Sequence, residues 1–295
     1  MRRGIFISLL LVCFAPLITS QAATSYYTFA LRGGYGSMDF GLKEGATKGS
    51  IAYGAELEYA YFFHPYIGIG IGGGFQRVGS TGVLNTSIMW NNVFDTDGEM
   101  YNHVVNLHNW SEKQRAFHVE VPITLQTQFD LNSSCGLLLK AGAAYSWLIQ
   151  HKTNANGTIE HIGDYDRWHL QLDIPEYGFY TEQTFNPQFA FSNVHSCTFR
   201  FSADVYFYTR SNVELLCGLY AGLNIRNLTT EHSSIGFRND RPEGAALHNF
   251  MNDYNTILNT NYVGDKLYAY TIQLQLGIRL HQHHHKSNHN CKCVK

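Results

Sequence analysis

Apolar residues alternate with polar or small ones along eight separate stretches of the chain. In the first, Tyr27, Phe29, Leu31 and Tyr35 oppose Thr28, Ala30, Arg32 and Gly34. The second sets Tyr53, Ala55, Leu57, Tyr59, Tyr61 and Phe63 against Gly54, Glu56, Glu58 and Ala60. In the third, Ile67, Ile69, Ile71 and Phe75 face away from Gly68, Gly70, Gly72, Gly74 and Gln76. The same rhythm recurs over residues 117–129, 137–147, 199–207, 213–226 and 268–280. A period of two puts successive side chains on opposite faces of a strand, so each stretch predicts a β-strand with one apolar and one polar face.

The links between these strands alternate in length. His64-Pro65, residues 130–134 and residues 210–212 are tight, whereas residues 79–114, 151–194 and 228–265 are several times longer. Long links are uncommon in compact soluble domains. Short turns at one end and long loops at the other are the habit of transmembrane barrels. The expected fold is all-β: an eight-stranded antiparallel up-and-down transmembrane β-barrel with short periplasmic turns and long extracellular loops.

Alternation alone does not say which face is outside, because a lipocalin-like soluble barrel alternates too. A soluble barrel covers its wet face with Lys and Glu. Here the polar face is mostly Gly, Ala, Ser, Thr and Gln, with Arg32, Lys140, Arg200, Arg226 and Arg279 balancing Glu56, Glu58, Glu120, Asp204 and Glu214. Equal numbers of cations and anions on one face suit an enclosed, paired lumen network, since breaking a buried pair costs about 3–5 kcal/mol. On the apolar face, aromatic residues gather at strand ends: Tyr27, Tyr61 and Phe207 at one rim, Tyr35, Tyr145, Trp147 and Tyr268 at the other. Amphipathic rings concentrate at membrane interfaces, so the apolar face is expected to meet lipid.

The N-terminus adds a compartment. Met1-Arg2-Arg3 precedes an apolar run from Ile5 to Phe14, Pro16 breaks it, and Ser20-Gln21-Ala22 supplies small residues for cleavage. Residues 1–22 therefore read as a secretory signal peptide, residues 23–280 as the outer-membrane barrel, and residues 281–295 as a His/Cys-rich periplasmic tail. The apolar run is roughly half of the ~20 residues that a membrane-crossing helix needs, and no later run reaches that length. The net charge of -2 suggests no nucleic-acid partner. The mature cysteines, odd in number and irregularly spaced, form no disulfide framework.

The strands also resemble a known family. Val119-Glu120-Val121-Pro122-Ile123 is similar to the Glu-aliphatic-Pro-aliphatic strand of PorT-like outer-membrane barrels, and Leu276-Gly277-Ile278-Arg279-Leu280 to their closing strand. The mature chain as a whole resembles the OmpA-type eight-stranded barrels. It departs from them in its long outer loops and in the tail that follows the last strand. The resemblance implies a fold and a location in the bacterial outer membrane, with outer-membrane lipid and lipopolysaccharide around the barrel and the barrel-assembly machinery acting in biogenesis. It implies no reaction, because one fold hosts many functions.

Three sets of residues are candidates for chemistry. The lumen charges are expected to fill and stiffen a barrel whose interior is just wide enough for side chains; a narrow pore is the alternative, and porin-like bulk flow needs about sixteen strands. The tail holds His281, His283, His284, His285, His289, Cys291 and Cys293, donors that suit Zn or Cu; a disordered polar terminus is the competing reading, and no other cofactor is implied. His195-Ser196 and His118-x-Glu120 supply the residue types of a Ser/His/acid site, but alternation puts His195 and Ser196 on opposite faces, so no enzyme is expected; a lipid-modifying enzyme stays as a lesser alternative. The long loops, with Trp90, Trp110 and Trp168 and many Asn and Tyr, are the expected surface for an unidentified extracellular ligand. A short amphipathic helix over 244–258 is a further expectation.

Overall fold

The computed structural model describes residues 24–282 except 96, 174–180, 184–188, 192–193, 210–211 and 225–267. Eight strands close a ring: β1 (Thr24–Asp39), β2 (Ala46–His64), β3 (Ile67–Phe94), β4 (Met100–Asp130), β5 (Cys135–Tyr165), β9 (Val194–Tyr208), β10 (Val213–Asn224) and β11 (Tyr268–Gln282). Each pairs antiparallel with its successor in the chain, β5 pairs β9 across the short strands between them, and β11 pairs β1. The fold is thus an eight-stranded antiparallel up-and-down β-barrel, and closure leaves the ring no free edge. Every stretch of alternation read from the sequence lies in one ring strand, save Ile225 and Arg226, which fall outside the described residues.

Side chains obey the expected parity. In the lower part of the cylinder, Glu56, Glu58, Glu120, Arg200 and Arg279 point inward and are buried. Leu57, Ile71, Ile123, Leu219 and Leu274 point outward and are each more than half exposed. Aliphatic residues hold the middle of this outer belt. Tyr27, Tyr61 and Phe207 border it at the turn end, and Tyr35, Tyr145 and Trp147 at the opposite rim.

Two of the three long links, 79–114 and 151–194, are largely strand where they are described; the third, 228–265, lies outside the described residues. β3 and β4 continue as one paired hairpin through residues 79–94 and 100–114, and β5 continues with them to Tyr165. The outer edge of this extension is covered on β5 by β6 (Leu170–Leu172), β7 (Thr181–Gln183) and β8 (Phe189–Phe191). Bulges break the period of two. Asn92 and Asn109, both with positive φ, sit at register shifts, and a further shift falls beside Phe117. An extra residue in one strand turns every following side chain to the other face, which hid the upper parts of β4 and β5 from a reading by alternation; β3 keeps its period of two as far as Trp90, with apolar residues moving to its inward side. Asn tolerates the left-handed conformation better than most residues.

Above the aromatic border of the cylinder the residue types on the two faces of the wall change. Leu84, Ile88, Val105, Leu107, Trp110, Ala155 and Ile159 now point inward and form an apolar core with Met38 and Phe40. Lys113, Arg115, Lys152, Asn154 and Asn156 point outward and are exposed. Below this level the same three strands are polar inside and apolar outside; above it the interior holds this apolar core beside buried Glu112, Gln114, Thr153, His103 and His161, and the outer face gains Lys, Arg and Asn while Val83 and Met89 stay exposed.

Candidate functional site

The interior of the lower cylinder is a connected charge network, and the sequence around it explains how it fits. β3 presents Gly68, Gly70, Gly72 and Gly74 inward, leaving volume that long side chains from other strands occupy. A Cβ on Gly70 would run into Glu58, Thr124 and Gln126. Glu58 takes the Lys140 ammonium through the barrel interior and accepts hydrogen bonds from Thr124 Oγ1 at 2.6 Å and Gln126 Nε2 at 2.8 Å. Glu56 binds Arg200 and has Arg32 at 3.3 Å; the Arg32 guanidinium is also 4.0 Å from Glu120. Tyr220 offers its ring to both arginines, with Arg32 4.1 Å and Arg200 5.2 Å from the centroid. Nearer the turns, Arg279 pairs with Glu214 and lies 4.1 Å and 4.5 Å from the rings of Tyr26 and Tyr206. Asp204 has no cation within ion-pair range among the described residues, and Ser202 and Gln275 donate to it at 3.0 Å.

Nine of the ten charges read from the sequence therefore share this interior; Arg226 lies outside the described residues. Two small cavities border the network among the described residues. One cavity of ≈ 20 Å³ lies beside His118, Glu120, Tyr220 and Asn224, and another of ≈ 10 Å³ beside Glu56, Lys140 and Arg200. A single water needs roughly 10–15 Å³, so each holds about one water.

The rim above is a different environment. His103 and His161 are buried with ring nitrogens 3.1 Å apart, one donating to the other. Burial, and then the neighbouring His161, drive His103 down to about 3, and burial drives His161 and His151 down to about 4. Tyr101 stacks on Tyr165 at 5.2 Å, and the Tyr165 hydroxyl donates to Asp95 at 2.9 Å. On the outer face, Asn106 at 2.8 Å and His108 at 3.2 Å hold Glu160, and their hydrogen bonds, Asn106 first, keep its carboxyl below the usual range. Glu44, Asn85, Thr86, Ser87, Asn106 and His108 border an open polar groove of ≈ 460 Å³ on this face.

Other expectations need revision. Trp110, read as an exposed loop aromatic, is wholly buried and donates its indole N–H to Glu112 at 3.0 Å; Trp90 packs against the same core, and Trp168 alone of the three is well exposed. His281, placed in the tail, belongs to β11, where it pairs with Tyr26 and lies 5.1 Å from its ring. The remaining tail donors, His283, His284, His285, His289, Cys291 and Cys293, lie outside the described residues, as do the signal segment and residues 244–258. Among the described residues no three His, Cys, Asp or Glu side chains converge as a metal site. His195 points outward and Ser196 inward. Ser146 reaches Glu120 at 3.4 Å, but its nearest hydroxyl partner is Thr198 at 2.8 Å, and no histidine among the described residues hydrogen-bonds to either.

No protein-family model and no curated protein matches the sequence. Among solved structures, Neisserial surface protein A is similar at 9% identity and a TM-score of 0.33, over 88% of this chain and 99% of that one. Ail, the attachment invasion locus protein of Yersinia pestis, is similar at 9% identity and a TM-score of 0.29 in its complex with the heparin analogue sucrose octasulfate, over 88% and 100% of the two chains. The Ail structure solved without that analogue gives 10% and 0.28 over the same shares. Likenesses of this size carry no weight, and the architecture rests on the strand pairings.

Proposed function

We propose that the protein is an integral outer-membrane barrel whose cylinder anchors an elongated β3–β4–β5 rim at the cell surface, where the rim binds an extracellular ligand. The observation that carries this reading is the change in outward residues along single strands. An outward row of Leu, Ile and Phe is unfavourable in water at about 25 cal/mol per Å² of apolar surface, and it is stable in hydrocarbon. The outward Lys, Arg and Asn above it belong in water. A wall that meets lipid below one level and water above it accounts for both.

On this reading the charge network is structural. It packs the lumen, and the two cavities beside it are each about the size of a single water. No observation favours the pore or the lipid-modifying enzyme. The anchor's useful surface is then the rim, whose outer face is rich in Asn and holds the polar groove beside Asn106 and His108. Export by the signal segment and insertion by the barrel-assembly machinery belong to the same proposal.

The test is fractionation of the native envelope followed by gel electrophoresis with and without boiling. Recovery in the outer-membrane fraction, with faster migration of the unboiled protein, is the expected result. A soluble periplasmic protein with no heat-dependent shift overturns the reading.

A further inference from the structure

The outward face just above the apolar belt carries five cations on four adjacent strands. Register places Lys48 of β2, Thr81 of β3, Lys113 of β4 and Asn154 of β5 in one row. The row below holds Gly79, Arg115 and Lys152, and the next holds Arg77, Phe117 and Gln150. Lys48, Lys113, Arg115 and Lys152 are exposed, and Arg77 lies half-buried with its guanidinium 5.1 Å from the Tyr53 ring centroid. No Asp or Glu shares the outward face of these rows, because Glu112 points inward and Glu160 lies further along β5. Among the described residues none of the five cations has a carboxylate within 4.0 Å.

Clustering like charges without counter-charges is unfavourable for the protein alone, so the patch points to an anion supplied from outside. Its position says which kind. Directly below it the outer wall becomes aromatic and apolar: Phe75 stacks on Phe117 at 5.5 Å, and Trp147 lies in the next row. A ligand on these rows has phosphate-binding cations at one level and a surface for hydrocarbon at the adjacent one. The patch spans four strands at about 4.8 Å spacing and three rows at about 7 Å, roughly 14 Å each way, which is wide for a single phosphate.

We propose that this patch binds a multiply phosphorylated lipid headgroup of the leaflet bordering the belt, with acyl chains lying on the Phe75, Phe117 and Trp147 rows. The proposal rests on the membrane reading above. It deepens that reading by assigning a partner to one sector of the wall, β2 to β5.

The experiment uses the full chain folded in detergent micelles, with native mass spectrometry reading retained lipid. The probes are bisphosphorylated lipid A, its monophosphorylated form, phosphatidylglycerol and inositol hexakisphosphate. Near a membrane each Lys or Arg contributes about 1 kcal/mol toward anionic lipid, about fivefold in affinity. The wild type should retain the bisphosphorylated lipid most strongly, and K113Q/R115Q/K152Q should bind it about a hundredfold more weakly while keeping the cold-gel shift of a folded barrel. Should the triple variant fail to fold, R115Q and K152Q singly should each show about a fivefold loss. Undiminished retention in folded variants overturns the proposal. Equal retention of phosphatidylglycerol overturns the requirement for several phosphates, and binding of inositol hexakisphosphate as tight as the lipid's overturns the lipid source. A wild type that shows no cold-gel shift and stays soluble without detergent instead overturns the membrane reading itself.

Discussion

Lys140 on β5 ion-pairs with Glu58 on β2, three strands away around the ring, through the barrel interior. Both side chains are buried, so the pair ties two non-adjacent strands of the cylinder together through its polar filling. Removing one partner leaves the other charge uncompensated, at a cost of about 3–5 kcal/mol, whereas replacing both is far less harmful. We expect Lys140→Met to lower the free energy of unfolding of the lipid-reconstituted protein in urea by that amount, and Glu58→Gln combined with it to recover most of the loss. Additive losses in the double variant would show that the pair is not a unit.

Gly70 gives the same site its room. A methyl group there collides with Glu58, Thr124 and Gln126 together. Overpacking of this kind costs about 1–3 kcal/mol. Gly70→Ala should lower the urea midpoint accordingly, and Gly73→Ala, whose Cβ meets nothing within 4 Å, should be nearly silent. Equal effects at the two glycines would contradict the packing described for the lumen.

The rim should weaken in acid. His103 and His161 are neutral in the folded rim, held down to about 3 and about 4, against about 6.5 when exposed. Below pH 6.5 the opened rim takes up protons that the closed rim refuses, so stability is full above 6.5. It falls toward pH 4, by up to about 1.4 kcal/mol per pH unit for each histidine. Hydrogen exchange of the Val105 and Ile162 amides, corrected for intrinsic rate, checks this: protection should fall between pH 7 and 4.5. Constant protection would mean that the pair is not closed off from water.

The eight strands and the lumen charges were legible in the sequence because β-structure in the lower cylinder is regular, and a period of two needs no tertiary information. The elongated rim was not. The bulges at Asn109 and beside Phe117 reset the alternation on β4 and β5, so Val105 and Trp110 did not read as one face; β3 keeps its period of two as far as Trp90, but its apolar Leu84 and Ile88 fall on the side that carries glycine and Gln76 below. Trp110 in particular looked like a loop aromatic because its inward direction depends on a pairing with Leu84 across β3 and β4. The cationic patch was likewise invisible: Lys48, Arg77, Arg115 and Lys152 are scattered along the chain and meet only through strand register.

Rim and cylinder should be separable. Trp110 is the largest side chain of the rim core, and truncating such a residue costs about 3–5 kcal/mol. Trp110→Ala should make residues 84–108 sensitive to added protease while the cold-gel shift of the barrel persists. Loss of the shift in this variant would show that rim and cylinder fold as one.

The central claim, that one wall meets lipid below the change in its outward residues and water above it, is tested most directly along β4. Single cysteines are placed at Leu125, Ile123 and Val121 in the belt and at Lys113 and Ser111 above it, in a chain whose own cysteines are replaced by alanine. Each is labelled in the unfolded state with an environment-sensitive fluorophore, and the protein is folded into vesicles containing brominated lipid. The account predicts strong quenching by the brominated chains at 125, 123 and 121 and little at 113 and 111, with a water-soluble quencher giving the opposite order. Equal access of the water-soluble quencher to all five positions would contradict it.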